Sequence, residues 1–253
     1  MPTSAESTLQ GDADVAAIGA ALADRRRAAV LDALMDGRAL PASVLASEAG
    51  VAPSTVSGHL ARLMDAGLVT VEPQGRYRYY RLAGPEVAGM LEAIARVAPP
   101  VPVRSLREDS RAYALRRARM CYDHLAGRLG VALMAALVEQ GVLSGSDGLH
   151  VRGGADRLAA PGRDMHYELT DDGRARLADF GVDPRAGRTR RPVVRYCVDW
   201  SEQRHHLGGA LGAAVAARLL ELGWLRRDRV GRAVQVTDDG RRGLREVFGV
   251  EAG

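Results

Sequence analysis

Residues 54–67 read STVSGHLARLMDAG, preceded by Val51-Ala52-Pro53 and closed by Gly67. Ser54 reads as the N-cap of a helix, because its hydroxyl can accept from an orphan first-turn amide. Val56, Leu60, Leu63 and Met64 recur at i, i+4, i+7 and i+8, the spacing of a helix face turned to a core. At about 100° per residue the opposite face carries Ser54, Thr55, Gly58 and Arg62, with Ser57 and His59 on its edges. That face is small, polar and singly basic.

Just upstream, Pro41 opens ASVLASEAG, a short helix stopped by Gly50. Two helices around a tight three-residue turn form a helix-turn-helix, whose second helix enters the major groove led by its N-terminal residues. Residues 13–37, Ala- and Leu-rich with Val30, Leu31 and Leu34 in helical spacing, read as one or two helices ending at Gly37. Downstream, LVTVEP and RYRYYRL alternate as strands around Pro73-Gln74-Gly75-Arg76. This hairpin is a wing that places Gln74, Arg76 and Arg78 beside the backbone or minor groove, while Tyr77, Tyr79 and Tyr80 read as packing residues.

From these residues the chain resembles the ArsR family of winged-helix repressors over about residues 13–97. The likeness is carried by STVSGHLARLMDAGLV followed by GRYRYYRL. It implies a dimer that represses a promoter and lets go when an inducer binds, with the first and last helices of the domain in the dimer contact; Glu86 to Val97 is that last helix. Metal-sensing members of the family carry a Cys pair beside the recognition helix or an Asp/His set on the final helix. Residues 39–98 hold no Cys and only His59, so neither set is present. The chain also continues through a Pro-rich joint, residues 99–104, where simple members end.

The remainder contains a repeat. RMCYDHLAGRLG from Arg119 matches RYCVDWSEQRHHLGGALG from Arg195, and TDDGRARLADFGV from Thr170 matches TDDGRRGLREVFGV from Thr237. Ordered self-similarity of this kind implies a duplicated unit. Each unit reads as a strand bearing Arg and Cys, an Asp at the next N-cap (Asp199 with Glu202 resembling a capping box), a long helix, a hairpin and a Thr-capped terminal helix. The expected organisation is a winged-helix DNA-binding domain at 1–98, a linker at 99–104, and repeat units at 105–183 and 184–253. The fold class is mainly α with small β-hairpins (α+β), ending in a tandem of two degenerate winged-helix-like units. Gly127 with Gly130 and Gly209 with Gly212 are expected to let two helices approach closely. An internal pseudo-twofold would enclose a sensor cavity where Arg119, Cys121, His124, Arg195, Cys197 and His206 converge, with Trp200 beside it. Core packing explains the same positions more plainly. No metal site is assigned: Cys121 and His124 have ligand-compatible spacing, but Cys197 and His206 lie nine residues apart, and His205 can equally take the place of His206.

Composition sets the limits. The 253 residues are 47% hydrophobic and 26% charged, enough for one large domain or two. No apolar run approaches a membrane span, and the first residues lack the order of a secretory signal. With two cysteines the expected compartment is the cytoplasm. All 35 basic residues are Arg, and the net charge is +4. Nine arginines meet eleven acids in residues 1–98, so DNA contact there rests on the local cluster Arg62, Arg76, Arg78 and Arg81. Two further basic stretches, Arg185 to Arg195 and Arg226 to Arg232, can reach phosphate or be solvated loops. There is no Gly-rich phosphate loop, nucleophile elbow or His-Glu-x-x-His set, so neither catalytic residues nor a cofactor are expected. The expectation is a homodimeric, ligand-responsive repressor on a near-palindromic double-stranded operator, released by a small-molecule inducer and without a membrane partner. The alternative is a thiol or metal sensor using Cys121 and Cys197; an enzyme fused to a DNA-binding domain is the more remote one.

Overall fold

The computed structural model of the chain describes residues 12–145, 166–183, 191–229 and 231–252. Its Ala-rich start is two helices, α1 (Val15–Leu22) and α2 (Arg25–Leu34). Asp24 separates them by accepting from the amides of Arg26 and Arg27, which caps α2. Arg27 turns back to donate to the carbonyls of Ala21 and Ala20 at 2.6 and 2.7 Å, satisfying the open end of α1. There follow β1 (Leu40–Pro41), α3 (Ala42–Ala49), α4 (Pro53–Asp65), β2 (Val69–Gln74), β3 (Tyr77–Leu82) and α5 (Pro85–Val97). β2 and β3 form the wing, from Val69 opposite Leu82 to Gln74 opposite Tyr77, and β1 pairs with the other edge of β3. One boundary differs from expectation. Helix α4 starts at Pro53 behind Ala52, with no side-chain cap, so Ser54 is a first-turn residue. Proline at N1 has its φ preset and no amide of its own to satisfy, and the Ala52 carbonyl accepts from the Thr55 amide at 3.0 Å. Val30, Leu31, Leu45, Val56, Leu60 and Leu63 close the core of this half.

After residues 99–105 comes α6 (Leu106–Arg117), a helix not expected from the sequence. Ser105 accepts from the Glu108 amide at 3.2 Å while Glu108 accepts from the Arg104 amide at 2.7 Å, close to a capping box. One element order then occurs twice. It runs first through β4 (Arg119–Cys121), β5 (His124–Ala126), α7 (Gly127–Glu139), β6 (Leu143–Gly145), β7 (Tyr167–Leu169) and α8 (Asp171–Asp179). It runs again through β8 (Arg195–Val198), β9 (His205–Gly208), α9 (Gly209–Glu221), β10 (Leu225–Arg227), β11 (Val234–Val236) and α10 (Asp238–Phe248). Thr170 and Thr237 cap α8 and α10 as expected, accepting from the amides of Gly173 and Gly240 at 2.9 and 3.0 Å.

Two details of the units are corrected. The Arg-Cys strand does not lead to an Asp at a helix N-cap; it folds back as a hairpin, β4-β5 or β8-β9, and the long helices begin at Gly127 and Gly209. Asp199 caps the turn inside its hairpin, accepting from the amides of Ser201 and Glu202, so no helix-starting box with Glu202 exists. Gly127 admits a second helix, since a Cβ there would stand 2.8 Å from the Arg116 carbonyl oxygen in the last turn of α6, whereas Gly130 and Gly212 admit hairpin backbone. A Cβ on Gly130 would stand 2.5 Å from the Leu125 carbonyl oxygen, and one on Gly212 would stand 2.5 Å from that of Leu207. The hairpins cross over: β9 lies on α7 and β5 on α9. Leu129, Leu133, Leu137, Tyr196, Leu211 and Leu219 fill the shared core of this half. Among the described residues no helix is long and apolar enough to cross a membrane.

Candidate nucleic-acid interface and a buried cysteine-histidine cluster

Val56, Leu60 and Leu63 anchor α4 in the core and leave Ser54, Thr55, Ser57 and Arg62 exposed on its outer side. The wing exposes Gln74, Arg76 and Arg78, with Gly75 and Arg76 at the tip of the hairpin. His59 departs from this set: it is half-buried and within electrostatic range of Asp24 at the start of α2. Arg81 is held by Glu72 at 3.0 Å across the hairpin. Among the other arginines considered for phosphate, Arg185, Arg188 and Arg190 lie outside the described residues. Arg226 and Arg229 are exposed, whereas Arg191, Arg227 and Arg232 are engaged within the protein.

The two Arg-Cys hairpins bring four side chains together. Cys121 stands opposite His124 in β4-β5, and Cys197 stands opposite His206 in β8-β9. One ligand atom from each of the four lies within 4.8 Å of the others. Cys121, His124 and His206 are buried and Cys197 is half-buried. The two imidazoles stack with centroids 5.2 Å apart and planes inclined by 26°. Nε2 of His124 and both ring nitrogens of His206 lack a hydrogen-bond partner. Behind each ring is a carboxylate: Asp123 Oδ1 is 3.2 Å from Nδ1 of His124, and Asp199 Oδ2 is 3.8 Å from Nδ1 of His206. Arg191 in turn holds Asp123.

The nine-residue spacing of Cys197 and His206 thus presents no obstacle, because antiparallel pairing sets residues side by side whatever the length of the intervening turn. Of the six residues expected to line a cavity, Cys121, His124, Cys197 and His206 come together and Arg119 and Arg195 do not join them. Ligand atoms this close leave no space for an organic molecule between them. Arg195 is exposed, and Arg119 points away into an ionic cluster. Trp200 lies over the Arg119 guanidinium, 4.7 Å from its carbon to the ring centroid, and not against the cysteines. His205 takes the other face of β9, stacked on Tyr196 at 4.1 Å with Nδ1 2.6 Å from the Tyr167 hydroxyl. The Cys121 thiol is pushed up to about 12 by its hydrogen bond with Cys197 and by burial.

The sequence reading missed the seam that joins the two halves. Arg119 is fully buried and donates to Asp199 at 2.8 Å and to Ser201 and the Leu115 carbonyl at 3.2 Å; Glu92 of α5 lies 3.8 Å away. Glu92 also bonds Arg232, which reaches Asp32 of α2 at 3.2 Å. Burial opposes charge on Glu92, but Arg232 and Arg119 together hold its carboxyl below the usual range. Beside this cluster the tip of β4-β5 docks under α2, with the Tyr122 amide donating to the Met35 carbonyl at 2.6 Å. The available signal was Glu92 itself, the one acid inside the apolar run VAGMLEAIARV.

A helix-turn-helix domain model matches residues 22–72. The chain is 39% identical over 229 residues to YdfF, an uncharacterized HTH-type transcriptional regulator of Bacillus subtilis, covering 90% of this chain and 94% of that protein. The HTH-type transcriptional regulator Rv0324 of Mycobacterium tuberculosis is 40% identical over 85 residues, 33% of this chain and 37% of that one. Among solved structures, the homodimeric winged helix-turn-helix DNA-binding domain (fragment 1–100) of Mb0332 from Mycobacterium bovis, a possible ArsR-family regulator, is 32% identical. It covers 35% of this chain and 89% of that one, with a TM-score of 0.31. The likeness to YdfF is too long for the winged helix alone and extends through the second half.

Proposed function

Because the chain belongs to the HTH-type transcriptional regulators, as its nearly full-length likeness to YdfF shows, we propose that it works as an ArsR-type homodimeric repressor whose second half senses an inducer. The observation that carries this reading is α4. Its apolar side is locked into the core, its polar side faces outward behind a short helix and turn, and an arginine-bearing wing stands beyond it. In this reading Ser54, Thr55, Ser57 and Arg62 meet bases or phosphates in the major groove, and Gln74, Arg76 and Arg78 meet the backbone or minor groove.

Dimerisation through α1 and α5 fits their exposed apolar side chains, Val15, Ile94 and Val97, and an adjoining groove of about 210 Å³ lined by Leu22, Leu91 and Ile94. A second copy that covers this face sets two recognition helices on one side of the duplex. The repeated element order supports descent of residues 119–250 from a duplicated unit. The seam supports a sensory role for it, since a change in the second half reaches α5 through Arg119 and Glu92. An inducer acts here only by favouring one arrangement of the dimer over another.

Hydroxyl-radical footprinting on duplex from the DNA upstream of the coding sequence tests the dimer. Two protected patches about one helical turn, roughly 34 Å, apart are expected. One patch alone rules out the twofold arrangement.

A further inference from the structure

Two hairpins distant in sequence each set a cysteine opposite a histidine, and the two pairs face one another. Buried polar atoms nearly always have partners, yet three imidazole nitrogens here lack a hydrogen bond, all on side chains that are at most 7% exposed. A tetrahedral ion with sulfur at about 2.3 Å and nitrogen at about 2.0–2.1 Å has its ligand atoms about 3.3–3.8 Å apart. The observed spread, within 4.8 Å, is a slightly open form of that arrangement. At His124 the Asp123 carboxylate, 3.2 Å from Nδ1, matches the outer shell of a metal-bound histidine, in which one ring nitrogen is oriented by a carboxylate and the other ligates; at His206 the Asp199 carboxylate lies farther off, 3.8 Å from Nδ1.

We propose that Cys121, His124, Cys197 and His206 bind one Zn²⁺ or a similarly borderline-soft divalent cation, clasping the two hairpins of the second half together. Two thiolates and two neutral imidazoles balance the charge of the ion, a ligand set that suits zinc over the hard, oxygen-seeking magnesium or calcium. Zinc takes cysteine as thiolate and histidine as neutral imidazole, so uptake of the ion passes protons to solvent. All four positions of a tetrahedron are then filled by protein, as in a structural or sensing site and unlike a catalytic one, which keeps a position open. Outside the cluster the connection continues. Asp199 accepts from Arg119 and from the Gly127 amide with the same oxygen that faces His206, and Arg119 faces Glu92 of the winged helix. The site is defined independently of the DNA reading, and its test uses no DNA.

The test is a titration of the full chain, stripped with chelator and kept reduced, with Co²⁺ followed by Zn²⁺. Expected are one equivalent of Co²⁺ per chain, the intense visible bands of tetrahedral cobalt, a sulfur-to-cobalt charge-transfer band, and loss of all of these when Zn²⁺ is added. In weak buffer, Zn²⁺ uptake should release protons. Cys197→Ser, which changes one half-buried atom, and His206→Asn should each weaken cobalt binding at least tenfold while circular dichroism stays that of the parent. Should either variant fail to fold, the parent alone decides through the charge-transfer band and through zinc protection of both thiols from a disulfide reagent. A folded, reduced chain that takes up no stoichiometric cobalt overturns the proposal, and so does binding that survives Cys197→Ser unchanged. Equally contrary is a Cys121–Cys197 disulfide in the chain as isolated that persists in the presence of zinc.

Discussion

Glu92, on the last helix of the winged helix, and Arg119, at the head of the first cysteine hairpin, meet 3.8 Å apart with neither side chain more than 4% exposed. Two charges this deep are costly to bring out of water and hold only because each has further partners, Arg232 for Glu92 and Asp199 for Arg119. The junction between the halves is therefore ionic and specific, and the two apolar cores lie on either side of it.

Removing the charge from Glu92 leaves two buried guanidinium groups short of a partner. Glu92→Gln, nearly the same in shape, should lower stability by about 3–5 kcal/mol, read from the midpoint of urea unfolding. A change below about 1 kcal/mol contradicts a buried ionic seam. The same group predicts an acid dependence. Its carboxyl is held below the ordinary value, so its contribution is fully present above the unfolded value near 4.3 and is lost as pH falls through the lowered one. The Glu92→Gln variant should accordingly show a shallower loss of stability below pH 4.5 than the parent.

Gly37 gives a test of the docking beside that seam. Its φ is +74°, and a Cβ would stand 2.8 Å from the Tyr122 carbonyl oxygen, whereas Gly67, at φ +68°, has open space around it. Both Ala substitutions incur the left-handed backbone penalty of about 1–2 kcal/mol. Gly37→Ala should cost measurably more than Gly67→Ala in parallel urea melts, and equal costs would mean that the hairpin tip does not press on α2.

On the DNA face the account separates reading from holding. Arg62→Ala should weaken binding by about 1–3 kcal/mol and relax the preference at one base pair if it reads guanine. Arg76→Ala should weaken all duplexes alike and lower the salt slope by about one. Competition anisotropy with single-base operator variants distinguishes the two. No effect from either places DNA contact elsewhere on the chain.

What the sequence disclosed divides along physical lines. The winged helix was legible because its signals are local: apolar spacing in STVSGHLARLMDAG, Gly50 in a left-handed C-cap, and strand alternation around Gly75. The Thr-Asp-Asp-Gly starts of α8 and α10 were equally local. The cysteine-histidine cluster was half legible. The repeat points to its residues, but spacing along the chain carries ligand geometry only within one element, and hairpin register depends on pairing that spacing does not give. Arg195 and Arg119 occupy matching repeat positions, yet one is exposed and the other is buried against Asp199. A repeat predicts backbone and not the asymmetric surroundings that packing against the winged helix imposes. The Glu92 seam depends entirely on contacts between distant segments.

The central claim, that α4 and the wing of this chain recognise a particular duplex, is tested most directly by fluorescence anisotropy of a labelled fragment from the DNA upstream of the coding sequence, compared with a scrambled duplex of equal composition at one stated salt concentration. The account predicts saturable binding to the first that is tighter by about a thousandfold or more and that weakens as salt rises. Equal affinity for both duplexes would contradict it.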